Sequence, residues 1–299
     1  MKKPNTFIIG APKCGTTSLA NWLSEHPDTF ICPTKEPNYF LFDIARPPLS
    51  LGAYEKLFRA SEERHRVVFE ASTSYLYSHV AVPAILSYAN SPRFVVMTRD
   101  PVEMAPSLHQ QRLFSGQEDE PDFERAWRLQ ADRLCGRHIP ARCPDLQLLQ
   151  YGWWCQLGEQ LSRLHRWVSP DHIHIIPSES LHTSPRQEYL GLLRFLGLED
   201  DGRKNFPKAN SARQHTAPAI RNFVRSANTL ARRIGLPYVR TGLTKKIDDR
   251  FSAPRARQRM TAALRGELEE YFATDKQLLQ EVLDRRKENN RIIDTDARN

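Results

Sequence analysis

The sequence has no long hydrophobic run. Its 299 residues are 40% apolar, but no uninterrupted apolar segment reaches the roughly 18–20 residues that a membrane-spanning helix needs. The first residues, MKKP, lead almost directly into an apolar strand pattern, which leaves no room for a signal peptide. We therefore expect a protein without a transmembrane segment and without a secretory leader.

Cysteine is also scarce. The five cysteines are an odd number at irregular spacing, which does not indicate a disulfide framework. Cys135 and Cys143 could pair across a loop, but reduced thiols in a cytoplasmic protein are the favoured interpretation. No Cys/His spacing has the form of a metal site, so no metal is expected.

The charge is unbalanced toward basic residues, with a net charge of +8. Such a chain can bind nucleic acid, a glycan or a membrane surface. Because the basic residues are spread along the chain, we favour a solvated basic surface with cations for a multiply charged ligand, and expect no nucleic acid. A late basic group keeps an acidic partner open; it comprises Arg221, Arg225, Arg232, Arg233, Arg240, Lys245 and Lys246.

Apolar β-rich runs alternate with helical patterns along the chain. The predicted strands are Phe7–Ile9, Val67–Glu70, Phe94–Met97 and Ile173–Ile176, and the predicted helices lie near 16–24, 80–88, 151–168 and 189–196. This alternation predicts an α/β fold with a mostly parallel sheet and right-handed crossovers. Ligands of such sheets bind beyond the carboxyl ends of the strands.

The chain is predicted to be a single domain. Its core covers about residues 5–215, a helical C-terminal part covers about 217–285, and a polar, frayed tail covers 286–299. Residues 115–150 are polar and irregular, so we interpret them as an insertion near one side of the ligand site.

Residues 6–19, TFIIGAPKCGTTSL, are the most informative stretch. An apolar run ends at Gly10, a tight loop carries Lys13, and a helical pattern begins at Thr16. The free N–H groups and positive end of that helix would face a bound phosphate or sulfate. The spacing from Gly10 to Gly15 matches a P-loop, but Thr16 stands where a nucleotide triphosphatase has lysine.

The lysine inside the loop resembles the 5′-phosphosulfate loop of the sulfotransferases, which use 3′-phosphoadenosine 5′-phosphosulfate (PAPS). Four further segments match: 19–27 (LANWLSEHP), 35–40 (KEPNYF), 93–101 (RFVVMTRDP) with Ser107, and 173–181 (IHIIPSESL) with 195–198 (FLGL). The resemblance spans roughly residues 5–215. It implies a P-loop-like three-layer sandwich that transfers sulfonate from PAPS to a hydroxyl or amine of a small molecule, glycan, lipid or peptide tyrosine.

The resemblance also implies the donor site. The residues expected at the 5′ end are Pro12, Lys13, Cys14, Gly15, Thr16, Thr17 and Ser18, with Lys13 as the catalytic cation that stabilises the leaving phosphate. Arg99 and Ser107 would hold the 3′-phosphate, although Arg99 could instead pair with Asp100 and Ser107 could be an incidental helix residue. A loop that would close over the nucleotide carries Lys208, Asn210 and Arg213.

Glu70 is the predicted general base, because a partly desolvated carboxylate at the end of a strand can accept a proton near neutral pH. It resembles the base of glycan sulfotransferases, although Ala71 replaces the lysine that follows in many of them. The alternatives are a structural Glu70 paired with Arg99, or His79 or His109 as the base. Lys35 contacts either a ligand or only solvent.

Two other functions stay open. A P-loop nucleotide kinase would need a lysine at position 16, and a noncatalytic anion- or nucleic-acid-binding module would need only the basic surface. A thermal shift with 3′,5′-ADP, ATP–Mg²⁺ and short DNA distinguishes the three, because only the preferred ligand stabilises strongly.

Overall fold

The computed structural model describes residues 2–44, 49–208, 213–215, 252–254 and 260–296; of 213–215, 252–254 and 286–296 it describes the backbone alone. The chain divides into two compact units. The larger comprises Met1–Ala209 and Met260–Asn299, and the smaller comprises Asn210–Arg259. The predicted nucleotide-closing residue Asn210 and all seven residues of the late basic group lie outside the described residues.

A parallel five-stranded sheet forms the centre of the larger unit. Its strands are β1 (Thr6–Gly10), β2 (Thr29–Ile31), β3 (Val67–Ala71), β4 (Arg93–Thr98) and β5 (Ile173–Pro177), in the order β2-β3-β1-β4-β5. The four predicted strands and their parallel pairing are confirmed. Since β1 lies between β3 and β4, the loop after β1 opens beside the ends of both neighbours.

Helices cover the sheet. They are α1 (Thr16–Ser24), α2 (Leu51–Lys56), α3 (Ala81–Tyr88), α4 (Pro101–Ser115), α5 (Phe123–Arg128), α6 (Gln130–Leu134), α7 (Tyr151–Cys155), α8 (Leu157–Trp167), α9 (Ser178–Thr183), α10 (Pro185–Leu196), α11 (Ala262–Tyr271) and α12 (Ala273–Asp296). The smaller unit contributes an antiparallel pair, β6 (Arg213–His215) and β7 (Ser252–Pro254). Pro83 lies in the first turn of α3, where a missing N–H costs no hydrogen bond.

The helix predicted over 151–168 is two helices. Gln156 separates α7 from α8 with φ −77° and ψ 73°, which is not helical backbone. The apolar period nevertheless continues across the break, because Tyr151, Trp154, Leu157 and Leu161 are all buried. The hydrophobic pattern alone therefore does not show the break at Gln156.

The segment 115–150 is more ordered than its polar sequence indicates. It holds α5, α6 and a buried ion pair in which both amino groups of Arg133 donate to Glu118 at 2.7 Å. Tyr151 adds a hydroxyl donor to the same carboxylate at 2.6 Å. These polar groups are buried because they satisfy one another.

The C-terminal helices pack against the α/β core of the larger unit. Asp275 of α12 accepts hydrogen bonds from the backbone N–H groups of Gly158 and Glu159, at 3.0 and 2.8 Å, and so caps α8 from a distant part of the chain. Leu264, Leu268 and Phe272 of these helices are buried.

Gly158→Ala is expected to destabilise the protein, because a Cβ atom there would lie 2.3 Å from the carbonyl oxygen of Asp275 and 2.8 Å from Leu278 Cβ. Overpacking of this kind costs about 1–3 kcal/mol or more. The matched control is Gly266→Ala on α11, where no atom lies within 4 Å and alanine favours the helix. Urea denaturation should show a lower midpoint for Gly158→Ala and an unchanged or higher one for Gly266→Ala; equal midpoints would contradict this packing.

None of the helices in the described ranges is long and apolar enough to cross a membrane. All five cysteines are unpaired, so the Cys135–Cys143 disulfide is not formed. Among the described side chains, no group of three His, Cys, Asp or Glu residues gathers as a metal ligand set.

Candidate active site

The loop between β1 and α1 forms an anion-binding end of the sheet. Ala11 donates its N–H to the carbonyl of Met97 at 2.7 Å, which ties the loop to β4. Gly15 caps α1 with φ 92°, a left-handed conformation that favours glycine. No described side chain caps the helix at Gly15. A bound anion is therefore well placed to accept from the first N–H groups of α1.

Three cations gather around this loop. Arg99 Nη1 donates to the carbonyl oxygen of Lys13 at 3.2 Å, and Lys35 Nζ donates to Thr17 Oγ1 at 3.0 Å. Burial first, and then the charges of Arg99 and Lys35, lower the pKa of the Lys13 amine. Within the described part of the chain, no carboxylate forms a salt bridge with any of the three cations. The three positive charges repel one another, and a multiply charged anion bound between them would offset this repulsion.

Asp100 does not neutralise Arg99. Its Oδ1 accepts from the N–H groups of Val102 and Glu103, which caps α4, and its Oδ2 lies 3.1 Å from Lys276 Nζ. The alternative in which Arg99 is bound by its neighbour is therefore not what the structure shows. Ser107 lies half-buried in the second turn of α4, the helix that starts just after Arg99.

Lys208 is exposed at the end of an anchored segment. Trp22 of α1 donates its indole N–H to the carbonyl of Pro207 at 3.0 Å and packs edge-on against Phe206. Burial, then Lys208, and also Arg99 lower the pKa of His182. Lys208 and Arg99 therefore both lie close enough to the His182 imidazole to disfavour its protonated form. Arg213 is described only as backbone in β6.

Glu70 is fully buried near the end of β3. Its carboxylate accepts hydrogen bonds from the hydroxyls of Tyr54, Ser72 and Tyr75, at 2.7, 2.7 and 3.2 Å. Burial raises the pKa of Glu70 to about 7, against the lowering effect of these donors. Its partners are hydroxyls and not Arg99, so the structural alternative of a Glu70–Arg99 pair is not formed.

The two histidines have other surroundings. His79 is exposed, and its backbone N–H donates to Asp43 at 2.9 Å. His109 is fully buried, with Nε2 2.9 Å from the carbonyl oxygen of Glu120 and its ring against Phe123.

Sequence reasoning missed the hydroxyls around Glu70. Tyr54 belongs to α2, which the apolar pattern did not predict, and Tyr75 lies in the turns after β3. The single local signal was the small residue Ser72 two positions after Glu70. The burial of three aromatic and polar partners around one carboxylate is a property of the tertiary structure.

Known proteins resemble this chain over different parts of its length. The family model of the sulfotransferase domain matches residues 3–276. Mouse heparan sulfate glucosamine 3-O-sulfotransferase 3A1 is 26% identical over 200 residues, which are 66% of this chain and 46% of that protein. The membrane-associated sulfotransferase kil1 of Dictyostelium discoideum is 30% identical over 108 residues, 36% of this chain and 22% of its own length.

A solved structure gives the same fold. The crystal structure of a sulfotransferase from Alicyclobacillus acidocaldarius superposes with a TM-score of 0.69 at 21% identity, over 95% of this chain and 97% of that one. The chain spans about half the length of the heparan sulfate sulfotransferases it matches, with 46% of the mouse protein covered. The match of the family model over residues 3–276, on a parallel sheet whose first loop gathers Lys13 and Arg99, shows that the chain belongs to the sulfotransferase domain family.

Proposed function

We propose that this protein transfers a sulfonate group from PAPS to a hydroxyl or amine of an acceptor by in-line displacement. The observation that carries the proposal is the gathering of Lys13, Arg99 and Lys35 at the N-terminus of α1, where no described carboxylate forms a salt bridge with any of them. PAPS carries a phosphosulfate and a 3′-phosphate, so it supplies the negative charge that such a site favours.

The donor would lie along the carboxyl ends of β1 and β4. The loop residues Pro12 to Ser18 would hold the 5′-phosphosulfate, with Lys13 at the bridging oxygen. Arg99 and Ser107 would hold the 3′-phosphate. Lys208, Asn210 and Arg213 would close over the nucleotide. For Lys208 this is supported by the pKa of His182, which both Lys208 and Arg99 lower.

In the proposed reaction, an acceptor oxygen or nitrogen attacks the sulfur and the bond from sulfur to the 5′-phosphate oxygen breaks. The sulfonate passes to the acceptor, 3′,5′-ADP leaves, and the acceptor proton passes to Glu70. The protein contributes positioning and charge stabilisation, as in phosphoryl transfer. Glu70 suits the proton transfer because a base with a pKa of about 7 is half ionised at neutral pH.

The acceptor is proposed by class: a hydroxyl- or amine-bearing small molecule, glycan or lipid. The heparan sulfate relatives favour a glycan, whereas Ala71 in place of a second catalytic lysine argues against a close copy of their chemistry. We propose no metal and no nucleic-acid partner. A cytoplasmic location stays a prediction that rests on the unpaired cysteines.

Arg99→Ala is expected to remove most of the preference for 3′,5′-ADP over 5′-ADP. An arginine contact to a phosphate contributes about 2–4 kcal/mol, including the penalty of leaving one charge unpaired. Titration calorimetry with both nucleotides on both proteins measures the loss. The control is Arg59→Ala, an exposed arginine just beyond α2, which should keep the preference.

Wild-type protein that binds the two nucleotides equally would contradict the 3′-phosphate assignment. Thermal shifts with ATP–Mg²⁺ and with short DNA test the other functions: preferential stabilisation by ATP–Mg²⁺ would indicate a nucleotide kinase, and by short DNA a nucleic-acid-binding module. Transfer of ³⁵S from labelled PAPS to extracts of the native host then identifies the acceptor class.

A further inference from the structure

A buried hydrogen-bond network joins Glu70 to the segment 36–40. Ser72 Oγ donates to Glu70 Oε2 at 2.7 Å and accepts from the backbone N–H of Asn38 at 3.1 Å. Tyr75 OH donates to Glu70 Oε1 at 3.2 Å and accepts from the backbone N–H of Phe40 at 3.3 Å. Two hydroxyls thus bridge one carboxylate to two amides of the same segment.

The direction of these hydrogen bonds is fixed. A backbone N–H can only donate, so the amides of Asn38 and Phe40 make the two hydroxyls acceptors on that side. Each hydroxyl has one proton, and a Glu70 oxygen lies within hydrogen-bond distance of each hydroxyl to accept it. The arrangement fits a Glu70 that accepts only, which is the ionised carboxylate. A protonated Glu70 must donate its own proton, and one of the hydroxyl donors then loses its acceptor.

The bridged segment leads to the donor loop. Glu36 and Asn38 have left-handed backbone, with φ 49° and 52°, a conformation that residues other than glycine adopt at a cost. Lys35, which precedes them, donates to Thr17 Oγ1 at the start of α1. The two bridges therefore brace a strained turn that places the Lys35 amine beside Lys13.

We propose that Ser72 and Tyr75 are positioning residues that couple the charge state of Glu70 to the segment 36–40, and through it to Lys35 in the donor site. The coupling makes the donor site sensitive to whether the carboxylate on the acceptor side is ionised. Only the consequence for nucleotide binding rests on the proposed function; the coupling itself is a property of the folded chain.

Glu70 is the group of this cluster that changes charge near neutral pH. The titratable groups around it are Tyr54 from α2, Tyr75 after β3, Tyr88 from α3 and Cys32 after β2. Burial raises the pKa of Cys32 to about 12 and raises the pKa values of the three tyrosines as well. These neighbours stay neutral where Glu70 titrates.

Amide hydrogen exchange tests the coupling directly. Ser72→Ala should lower the protection of the Asn38 amide by about tenfold, and Tyr75→Phe that of the Phe40 amide, because each removes one amide acceptor. Tyr54→Phe is the matched control: it also removes a hydroxyl donor from Glu70, but Tyr54 OH bonds the carboxylate and no amide of the segment. Measured well above pH 7, where Glu70 is ionised, it should leave both protections unchanged.

The pH dependence separates coupling from mere packing. After correction for intrinsic exchange, wild-type protection at Asn38 and Phe40 should rise with pH through about 7, as Glu70 ionises, relative to the protection of core amides that exchange by global unfolding. Glu70→Gln should remove this rise. Protections that do not depend on pH, or that fall equally in Tyr54→Phe, overturn the proposal. Tyr75→Phe keeps the ring in the core, so it decides the question even where Ser72→Ala does not fold.

Binding of 3′,5′-ADP gives the second readout. Tyr75→Phe should raise its Kd in the same direction as Lys35→Met, because both withdraw the amine from the donor site. A Tyr75→Phe variant that lowers Phe40 protection but binds 3′,5′-ADP as wild type does overturns the link to Lys35. Failure of the wild type to bind 3′,5′-ADP refutes the proposed function, while the exchange results still decide the coupling.

Discussion

Lys13→Ala is expected to lower the single-turnover rate of sulfonate transfer by about 10²–10³-fold, as the loss of an oriented charge stabiliser usually does. Lys13 is half-buried in the loop. Arg99 donates to its backbone and Lys35 to Thr17, so no neighbouring cation replaces the amine at the same place. Negative charge develops on the leaving 5′-phosphate in the transition state, and only Lys13 lies inside the loop that would hold it.

Stability should change in the opposite direction. Burial, Arg99 and Lys35 lower the pKa of Lys13, which means that the protonated amine is disfavoured in the folded, ligand-free protein. Lys13→Ala should therefore leave the ligand-free melting temperature unchanged or raise it, while it reduces the stabilisation by 3′,5′-ADP. Such a residue lowers stability for the sake of function.

Lys56→Ala is the control, since Lys56 is an exposed lysine in the last turn of α2. It should change neither the transfer rate nor the nucleotide-induced stabilisation. Single-turnover rates of Lys13→Ala within about threefold of wild type would contradict the catalytic role, because removal of a charge at the reacting centre has a larger effect on the rate.

The conformation of the loop between β1 and α1 was predictable because its signals are local. An apolar run, Gly15 in a left-handed cap and Lys13 between them lie within one short stretch, and the parallel order of the sheet follows from the alternation of elements. The position of Arg99 beside Lys13 then follows from β4 being the neighbour of β1.

The remainder depends on contacts between distant residues. The strand β2 (Thr29–Ile31) is too short for a periodic signal, and it forms because β3 offers an open edge. Asp275 caps α8 from 116 residues away, as measured to Glu159, and Arg133 is buried only because Glu118 accepts both of its amino groups. Composition marks such side chains as surface residues, and only packing shows otherwise.

Glu70 combines both cases. Its place at the end of β3 followed from the sequence, whereas its burial and its three hydroxyl donors did not. The pattern predicted a partly desolvated carboxylate, and the structure gives a fully buried one. An acceptor hydroxyl that reaches Glu70 must therefore displace part of the chain that covers this carboxylate. The segment 36–40 is the part that is hydrogen-bonded to Ser72 and Tyr75.

Glu70→Gln is expected to lower kcat by about 10²–10⁴-fold, because the amide keeps the shape and much of the hydrogen bonding but cannot accept the acceptor proton. In wild type, kcat should rise with pH through about 7 as the carboxylate ionises, and the variant should lose this acidic limb. Donor affinity measured at pH 6, where wild-type Glu70 is mostly neutral, should differ little between the two proteins.

The dependence of stability on pH gives an independent check of the same carboxylate. Burial raises the pKa of Glu70 to about 7, so the folded state holds a proton that the unfolded state has lost. Its contribution to stability is therefore present at low pH and is lost as pH rises through 7. Glu70→Gln should flatten this decline in denaturant midpoints between pH 5 and 8. Glu118 behaves in the opposite way, because its hydrogen bonds from Arg133 and Tyr151 outweigh burial and lower its pKa. Its contribution to stability is therefore lost at acid pH.

The same variant distinguishes a Glu70 that acts as the general base from one that acts as a structural support, here called a brace. A brace acts through Ser72 and Tyr75 on the 36–40 segment, so its loss should weaken 3′,5′-ADP binding above pH 7 while kcat at saturating donor falls little. A base acts on the acceptor proton, so its loss should lower kcat and leave nucleotide binding at pH 6 unchanged. Intact kcat together with weakened nucleotide binding would move the proton acceptor to His79 or His109, and His79 is then the first to replace, because it is exposed whereas His109 is enclosed by Phe123 and Glu120.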